Sequence, residues 1–193
     1  ERPDYSANTS NRCFFCKDEL YTQLTRVASV EGFAFVANGS NVDDLGDFRP
    51  GLKAAEKFGV RSPLVETGLT KSEIRSLSRE MDLPTWDKPA QACLSSRIPY
   101  GTTVTVEALT RVAKAEEFLR DLGFRQLRVR HHDTIARIEV ELEDLPRLVA
   151  DELRDRVSEY FKSIGYAYVT LDLAGFRSGS LNEVLTAGSR DVV

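Results

Sequence analysis

The chain has 193 residues, 41% hydrophobic and 29% charged, which is ordinary for a globular protein and sufficient for a buried core. Its formal net charge of −4 argues against a surface that coats a polyanion such as nucleic acid. No apolar run approaches the ~20 residues of a membrane span and no signal peptide is present, so we expect a cytoplasmic protein without a membrane partner.

The first residues of the chain do not resemble a translation start. The sequence begins Glu1-Arg2-Pro3-Asp4, and its only methionine is Met81. A natural start would leave a methionine or a small second residue. We therefore expect further residues upstream.

The first hundred residues alternate between helical and strand-like patterns. Apolar spacing predicts a helix over 17–29, and an apolar run predicts a strand over 33–37 that ends in a turn. A short helix over 52–58 and an extended segment over 63–65 follow. Thr70 and Glu73 form a capping box for a helix that directs Ile74, Leu77 and Met81 inward. This alternation predicts an α/β fold and the end of a parallel, doubly wound sheet.

Residues 84–103 are rich in proline and predict a long ordered loop of functional importance. After the loop, the pattern predicts a helix over 106–122, strands over 126–131 and 135–141, a helix over 145–163 and a strand over 166–171. We expect the 106–122 helix to bury Leu109, Val112, Ala113, Phe118 and Leu119. These elements form a compact α+β unit, so we expect two domains, 1–100 and 101–193.

The three cysteines are Cys13, Cys16 and Cys93. An odd number in a chain without a secretory signal argues against a disulfide framework. Cys13 and Cys16, three residues apart, can direct both sulfurs to one point, as in metal and redox sites. Three thiolates fit a [4Fe–4S] cluster with one open iron, and Cys₃His zinc with His131 or His132 is the rival. Three unrelated thiols remain the simpler alternative.

Two polar groups are candidates for ligand binding. The first is the turn after the predicted strand 33–37, which exposes backbone N–H groups and offers carboxylates for Mg²⁺; a plain turn with solvated aspartates is the alternative. It contains Gly39, Ser40, Asn41, Asp43 and Asp44.

The second group is a pair of arginines on one predicted strand. Arg128 and Arg130 share a face, which we expect to point outward, and two guanidiniums can clamp a phosphate or carboxylate. Cross-strand pairing with Glu139 or Glu141 is an equal alternative.

Other polar residues predict structural roles more than catalytic ones. His131 and His132 are adjacent on a strand and should point to opposite faces, which argues against a shared metal. Ser96 and Arg97 beside Cys93 can hold an oxyanion or pack the loop. Glu116 and Glu117 are expected on a solvated helix face.

Five motifs, in order along nearly the whole chain, resemble the LarE family of ATP-dependent sulfur transferases. They are Asn11-Arg12-Cys13-Phe14-Phe15-Cys16-Lys17; Gly39-Ser40-Asn41-Val42-Asp43-Asp44 with Arg49-Pro50-Gly51; Lys88-Pro89-Ala90-Gln91-Ala92-Cys93-Leu94-Ser95-Ser96-Arg97-Ile98-Pro99-Tyr100-Gly101; Arg128-Val129-Arg130-His131; and Leu171-Asp172-Leu173-Ala174-Gly175-Phe176-Arg177-Ser178-Gly179-Ser180.

This resemblance implies a PP-loop fold, the N-type ATP pyrophosphatase or adenine nucleotide alpha hydrolase-like fold, with a smaller C-terminal domain. It also implies an enzyme, usually a homo-oligomer, that adenylates a carboxylate of pyridinium-3,5-biscarboxylic acid mononucleotide and replaces the adenylate with sulfur. The thiocarboxylate product serves nickel-pincer cofactor biosynthesis. Some members sacrifice the sulfur of the cysteine that matches Cys93, and three-cysteine members are thought to use a [4Fe–4S] cluster with an extra sulfide. The three cysteines here favour the cluster.

Residue by residue, the resemblance assigns Cys93 as sulfur carrier or cluster ligand, with Cys13 and Cys16 as the other ligands. It assigns substrate binding to Arg128 and Arg130, with Ser96 and Arg97 nearby. It assigns ATP and Mg²⁺ binding to the turn that contains Gly39, Ser40, Asn41 and Asp44.

One departure concerns ATP. The family's Ser-Gly-Gly-x-Asp-Ser loop, which grips the pyrophosphate, is absent from this sequence. We expect this loop to lie upstream of Glu1. We therefore expect that the chain alone does not bind ATP productively. A tRNA thiolase of the same superfamily is an alternative that the charge of −4 disfavours. A non-catalytic zinc-binding module is another.

Overall fold

The computed structural model describes residues 2–46, 50–89 and 91–184. The chain divides into two compact units, Glu1–Lys88 and Pro89–Val193. The division lies within the predicted loop 84–103 and upstream of the predicted boundary at residue 100, and the assignment of the two parts as domains stays a prediction. None of the described helices has the length and apolar character needed to cross a membrane.

The described part of the first unit consists mainly of helices. They are α1 (Pro3–Ser6), α2 (Arg12–Glu31), α3 (Pro50–Lys57), α4 (Pro63–Glu66) and α5 (Lys71–Glu80), with a 3₁₀ helix at Val42–Gly46. The predicted helices over 17–29 and 52–58 are confirmed as α2 and α3. The capping box at the start of α5 is also confirmed, since Thr70 and Glu73 each accept from the other's backbone N–H.

The core of this unit is formed by α2 and α3. Tyr21, Ala54 and Ala55 are buried, and Phe14, Val36, Phe58 and Val60 pack against them. The two helices approach closely at Gly51, where a Cβ atom would be 3.0 Å from Cγ of Lys17. This approach holds α3 against the first turns of α2.

Three predictions for this unit are wrong. The strand over 33–37 is not formed: Ala37 makes an isolated parallel bridge with Arg61, and Phe35 is 66% exposed. A parallel strand is stable only when neighbours pair its backbone and cover both faces, which a local apolar run cannot ensure. Residues 63–65 are helical because Pro63 at the first position has a φ suited to a helix. Leu77 and Met81, predicted to point inward, are 43% and 70% exposed.

The second unit is the predicted α+β arrangement. Its elements are α6 (Val106–Asp121), β1 (Leu127–His132), β2 (Ile135–Val140), α7 (Leu145–Val149), α8 (Asp151–Ser163) and β3 (Tyr168–Leu171), with 3₁₀ helices at Leu94–Arg97, Leu142–Asp144 and Ser180–Asn182. The predicted helix over 145–163 is two helices, because Ala150 is extended at φ −61° and ψ 138°. The sheet order is β1-β2-β3, with β1 antiparallel and β3 parallel to β2.

One face of this sheet forms the core and the other is polar. The core face buries Leu127, Val129, Ala136, Ile138 and Val140 against α6 and α8. As predicted, Val112 and Leu119 of α6 are fully buried, while Leu109, Ala113 and Phe118 are half-buried. Because side chains alternate along a strand, Arg128, Arg130, Arg137 and Glu139 share the opposite face of the hairpin. This polar face is the floor of the candidate site.

Candidate functional site around Cys93

Cys93 lies on an exposed loop whose backbone is held by hydrogen bonds. It directly precedes the 3₁₀ helix Leu94–Arg97, and both the backbone N–H and the hydroxyl of Ser96 donate to its carbonyl oxygen, at 3.0 and 2.7 Å. Its Sγ atom is 3.2 Å from the hydroxyl oxygen of Ser95, which is buried. The structure thus combines an exposed thiol with a fixed main chain.

Arg97 lies beneath this loop and is 2% exposed. Its Nη1 donates to the carbonyl oxygens of Ala92 and Cys93, both at 3.0 Å, and to the hydroxyl of Ser96. Its Nε and Nη2 donate to the carboxylate of Glu116 at 2.7 and 3.0 Å. The contacts of Arg97 are therefore with the loop and the core, and its predicted substrate contact stays a prediction.

Glu116 was expected on a solvated helix face, and this expectation is wrong. Its side chain is fully buried and accepts from Arg97, from Nη2 of Arg120 at 2.8 Å and from the N–H of Val129 at 3.1 Å. A sequence signal for this position existed, because Glu116 follows Val112 by four residues and precedes Leu119 by three, which places it on the apolar face of α6.

Arg130 lies on the same face of β1 as Arg128, opposite the core, as predicted, but it is covered there and only 6% exposed. Its Nε and Nη2 donate to Glu139, both at 2.8 Å. Its Nη1 donates to the carbonyl oxygen of Ser96 at 2.9 Å, and its Nη2 also donates to the hydroxyl of Ser180 at 2.6 Å. The alternative that Arg130 pairs with Glu139 on the neighbouring strand is thus confirmed. The pair is diagonal, since the residue directly opposite Arg130 is Arg137.

Arg128 has a different environment. Its guanidinium is half-buried, donates to the carbonyl oxygen of Leu127 at 2.6 Å and lies 5.0 Å from the ring centre of Phe176. Burial, and then the positive charges of Arg97 and Arg130, lower the pKa of Arg128 to about 10, and the nearby carboxylates only partly oppose this. An anion placed here would relieve the repulsion, so the geometry is compatible with the predicted phosphate contact.

The segment that carries Phe176 is tied to β2 and to the polar face. The N–H of Phe176 donates to the carbonyl oxygen of Val140 at 2.7 Å. At Gly175 the φ is +67°, and a Cβ atom would be 2.9 Å from the same carbonyl oxygen. Arg177 forms two bonds with Glu183, whose pKa is lowered mainly by that hydrogen-bonded pair.

The two histidines lie on opposite faces of β1, as predicted. His131 is buried in the core, with Nδ1 3.2 Å from the hydroxyl oxygen of Tyr166, and burial lowers its pKa. Burial raises the pKa of Tyr166 to about 12, so this pair is neutral at physiological pH. His132 is on the exposed side.

Cys13 and Cys16 lie on the first turns of α2, which begins five residues before the predicted start. Cys13 is half-buried and Cys16 is exposed. Arg12, which is 2% exposed, donates to the side-chain oxygen of the fully buried Asn8 and so fixes the start of the helix. Both sulfurs therefore belong to the N-terminal end of α2.

The cysteines are divided between the two units, with Cys13 and Cys16 in the first and Cys93 in the second. Within the described residues of either unit, no group of three His, Cys, Asp or Glu side chains is arranged to hold a metal. Three thiols of this exposure suit an iron–sulfur cluster chemically. Their convergence on one centre stays a prediction.

The turn predicted to bind nucleotide is held by its own side chains. The side-chain oxygen of Asn38 accepts from the N–H of Ser40 at 2.9 Å, and Asp44 accepts from the N–H of Asn41 at 3.1 Å. Asp43 accepts from the N–H of Lys71 at 2.6 Å, at the start of α5. Of the residues that the structure describes, none beyond the chain neighbours of Gly39 has an atom within 4 Å of an added Cβ, which leaves room beside this part of the turn. Nucleotide binding here stays a prediction.

Two residues of the motifs, Arg49 and Ala90, lie outside the described residues. The others include Ser180, whose hydroxyl bonds to Arg130 and Glu139, and Phe176 beneath Arg128. Both residues are part of the fifth sequence motif, but the motif predicts no separate role for either. They lie beside the arginines because residues about fifty positions apart in the sequence come into contact in the fold.

Comparison with known proteins identifies relatives over most of the chain, although no protein-family model matches. An uncharacterised protein of Synechocystis is 50% identical over 184 residues, covering 95% of this chain and 69% of that protein. The pyridinium-3,5-bisthiocarboxylic acid mononucleotide synthase of Lactiplantibacillus plantarum is 44% identical over 182 residues, with 93% and 64% covered. An uncharacterised protein of Methanocaldococcus jannaschii is 30% identical over 171 residues, with 89% and 66% covered.

The chain thus spans about two thirds of the length of the curated relatives that it matches. The match to the L. plantarum protein extends over more than nine tenths of this chain. At this level of identity and coverage, the chain belongs to the LarE family.

Proposed function

We propose that the complete protein is an ATP-dependent sulfur transferase acting on pyridinium-3,5-biscarboxylic acid mononucleotide, and that the Pro89–Val193 unit supplies its substrate site and Cys93, one of the three cysteines of its sulfur source. The L. plantarum relative, a pyridinium-3,5-bisthiocarboxylic acid mononucleotide synthase, supports this substrate class. The observation that carries the proposal is the exposed Cys93 on a backbone held by Arg97, with the half-buried Arg128 on the polar face below.

In the proposed reaction, a substrate carboxylate attacks ATP, and an acyl adenylate forms with loss of pyrophosphate. A sulfur nucleophile then attacks the carbonyl carbon, and the bond to AMP breaks, so the thiocarboxylate product retains the sulfur. Arg128 would bind the phosphate of the mononucleotide and thereby place its ring beside Cys93. The turn that contains Gly39, Ser40, Asn41 and Asp44 would contribute to ATP and Mg²⁺ binding within a PP-loop fold.

For the sulfur source, the proposal assigns a [4Fe–4S] cluster to Cys13, Cys16 and Cys93. When bound, it would supply an extra sulfide at its open iron. In this proposal the chain contributes the cysteine ligands, two at the start of α2 and one on the Cys93 loop. Convergence of the three sulfurs on one centre is part of this proposal.

The experiment is anaerobic purification of the complete protein, with iron, sulfide and zinc analysis and an assay for the thiocarboxylate. We expect about four iron and at least four sulfide per protein in the wild type, and their loss in Cys13→Ala and Cys93→Ala. Ser95→Ala keeps all three thiols and serves as the metal control. Background iron and sulfide in the anaerobic wild type would contradict the cluster, and stoichiometric zinc without activity would favour the zinc-binding module.

A further inference from the structure

Three backbone carbonyl oxygens of the Cys93 loop, residues 91–98, accept hydrogen bonds from two guanidiniums. Arg97 donates to the carbonyls of Ala92 and Cys93, both at 3.0 Å, and Arg130 donates to that of Ser96 at 2.9 Å. The loop backbone is therefore held from its inner side, while the Cys93 side chain is exposed.

A long arginine side chain can fix a loop only if the guanidinium itself is fixed. Glu116 fulfils this condition for Arg97, since its two carboxylate oxygens accept from Nε and Nη2 at 2.7 and 3.0 Å. Glu116 in turn is fixed by the N–H of Val129 in β1 and by Arg120 one turn along α6. The side chains of Glu116 and Arg97 are 0% and 3% exposed.

We propose that Glu116 is a positioning residue for Cys93 and acts through Arg97. The inference rests on the proposed function only in that Cys93 is taken as the sulfur site. All three nitrogens of Arg97 are engaged by protein oxygens, so its role is to hold the loop. A series of hydrogen bonds thus connects the sheet to Glu116, Glu116 to Arg97, and Arg97 to the carbonyl oxygen of Cys93. This series positions the thiol of Cys93 relative to Arg128.

The first test measures the loop directly, without any assay of activity. In the full chain, the N–H groups of Ser96 and Ile98 donate to the carbonyls of Cys93 and Ser95, so their hydrogen exchange reports whether the loop is held. We expect Glu116→Gln to accelerate exchange at these two amides by about tenfold or more, and exchange at Ile138 in the core strand to remain within about twofold.

Glu117→Gln is the matched control, because it removes the same charge one residue further along the same helix from an exposed side chain. We expect no change in loop exchange for this variant. A double-mutant cycle tests the route: if Glu116 acts through Arg97, Glu116→Gln should add little to the exchange already produced by Arg97→Met. Additive effects would overturn the route through Arg97.

Arg97→Lys keeps the positive charge and serves if Glu116→Gln does not fold. A single ammonium cannot bond to the carboxylate in two places and to two carbonyls at once, so we expect faster loop exchange in this variant also. If Glu116→Gln or Arg97→Lys folds and its loop amides exchange within twofold of the wild-type rate, the proposal is overturned. Loss of the whole fold in both variants would also overturn it, since Glu116 would then have a purely structural role.

The second test uses the complete protein and the sulfur-transfer assay. A displaced thiol should lower kcat for Glu116→Gln by about tenfold or more while the KM for the mononucleotide changes less than threefold. An equal effect on both parameters would assign Glu116 to substrate binding and contradict the inference. If the wild type transfers no sulfur, the proposed function fails, whereas the exchange experiment still decides the role of Glu116.

Discussion

Arg130 and Glu139 form a diagonal cross-strand pair in which two nitrogens of the guanidinium donate to the two carboxylate oxygens, both at 2.8 Å. The side chains are 7% and 0% exposed. Ser180 from the C-terminal segment and Ser96 from the Cys93 loop bond to the same arginine. One ion pair thus joins the hairpin to both segments that border the candidate site.

Glu139→Ala should strongly destabilise the second unit. The substitution leaves the buried guanidinium of Arg130 without its carboxylate, and removal of one partner of a buried pair typically costs ~3–5 kcal/mol. The measurement is the free energy of unfolding from urea denaturation. Glu141→Ala, at an exposed position just after β2, should change it by no more than ~0.5 kcal/mol. Equal effects of the two variants would show that the pair contributes nothing specific.

Arg128→Ala should weaken binding of the mononucleotide much more than binding of ATP. A charge-assisted bond to a phosphate contributes about 1.5–3 kcal/mol, so we expect a loss of about 10- to 100-fold in affinity, measured by calorimetry on the complete protein. Arg154→Ala is the control for a general loss of charge, because Arg154 is exposed on α8 and pairs locally with Asp151 and Asp155. Equal weakening of both ligands by Arg128→Ala would contradict the phosphate assignment.

Gly175→Ala should disturb the site through the backbone. The residue has φ +67°, and its new Cβ would be 2.9 Å from the carbonyl oxygen of Val140, to which the next residue, Phe176, is bonded. Gly179→Ala has a similar φ of +80°, and among the described residues no atom beyond its chain neighbours lies within 4 Å of the added Cβ, so we expect the conformational cost of ~1–2 kcal/mol alone. We expect a larger loss of unfolding free energy for Gly175→Ala, and weaker phosphate binding only in that variant. A smaller effect at position 175 would refute this.

Asp18 should make the first unit sensitive to acid. Hydrogen bonds from Lys57 at 2.5 Å and Arg2 at 3.0 Å hold the pKa of Asp18 below its ordinary value of 3.8. A lowered folded-state pKa means that the unfolded chain binds the proton more tightly. The contribution is therefore present above about pH 4 and is lost as the pH falls through the folded-state value.

The measurement compares Asp18→Asn with wild type by urea denaturation at pH 7 and pH 2.5. We expect the difference in unfolding free energy to be present at pH 7 and to shrink at pH 2.5. Glu56→Gln, an exposed residue of α3, is the control for a change of charge alone. A difference that is the same at both pH values would exclude the ion pair as its cause.

The local sequence determined the type and order of most elements. The capping box of Thr70 and Glu73 predicted the start of α5, and the alternation in 126–141 predicted the β1–β2 hairpin. These features depend on neighbours within a few residues, so the pattern contains the required information. The motifs around the cysteines and arginines likewise indicated the LarE family, which the relatives confirm.

The tertiary structure decided which polar residues are buried and which apolar residues are covered. Periodicity predicted the apolar face of α5, but Met81 on that face is 70% exposed, because burial requires a partner surface that the helix does not itself specify. Conversely, Glu116 and Arg97 are buried because each supplies the other's charge across nineteen residues of sequence. A charged side chain is buried only where its partner folds against it, and local spacing along the chain does not encode that partner.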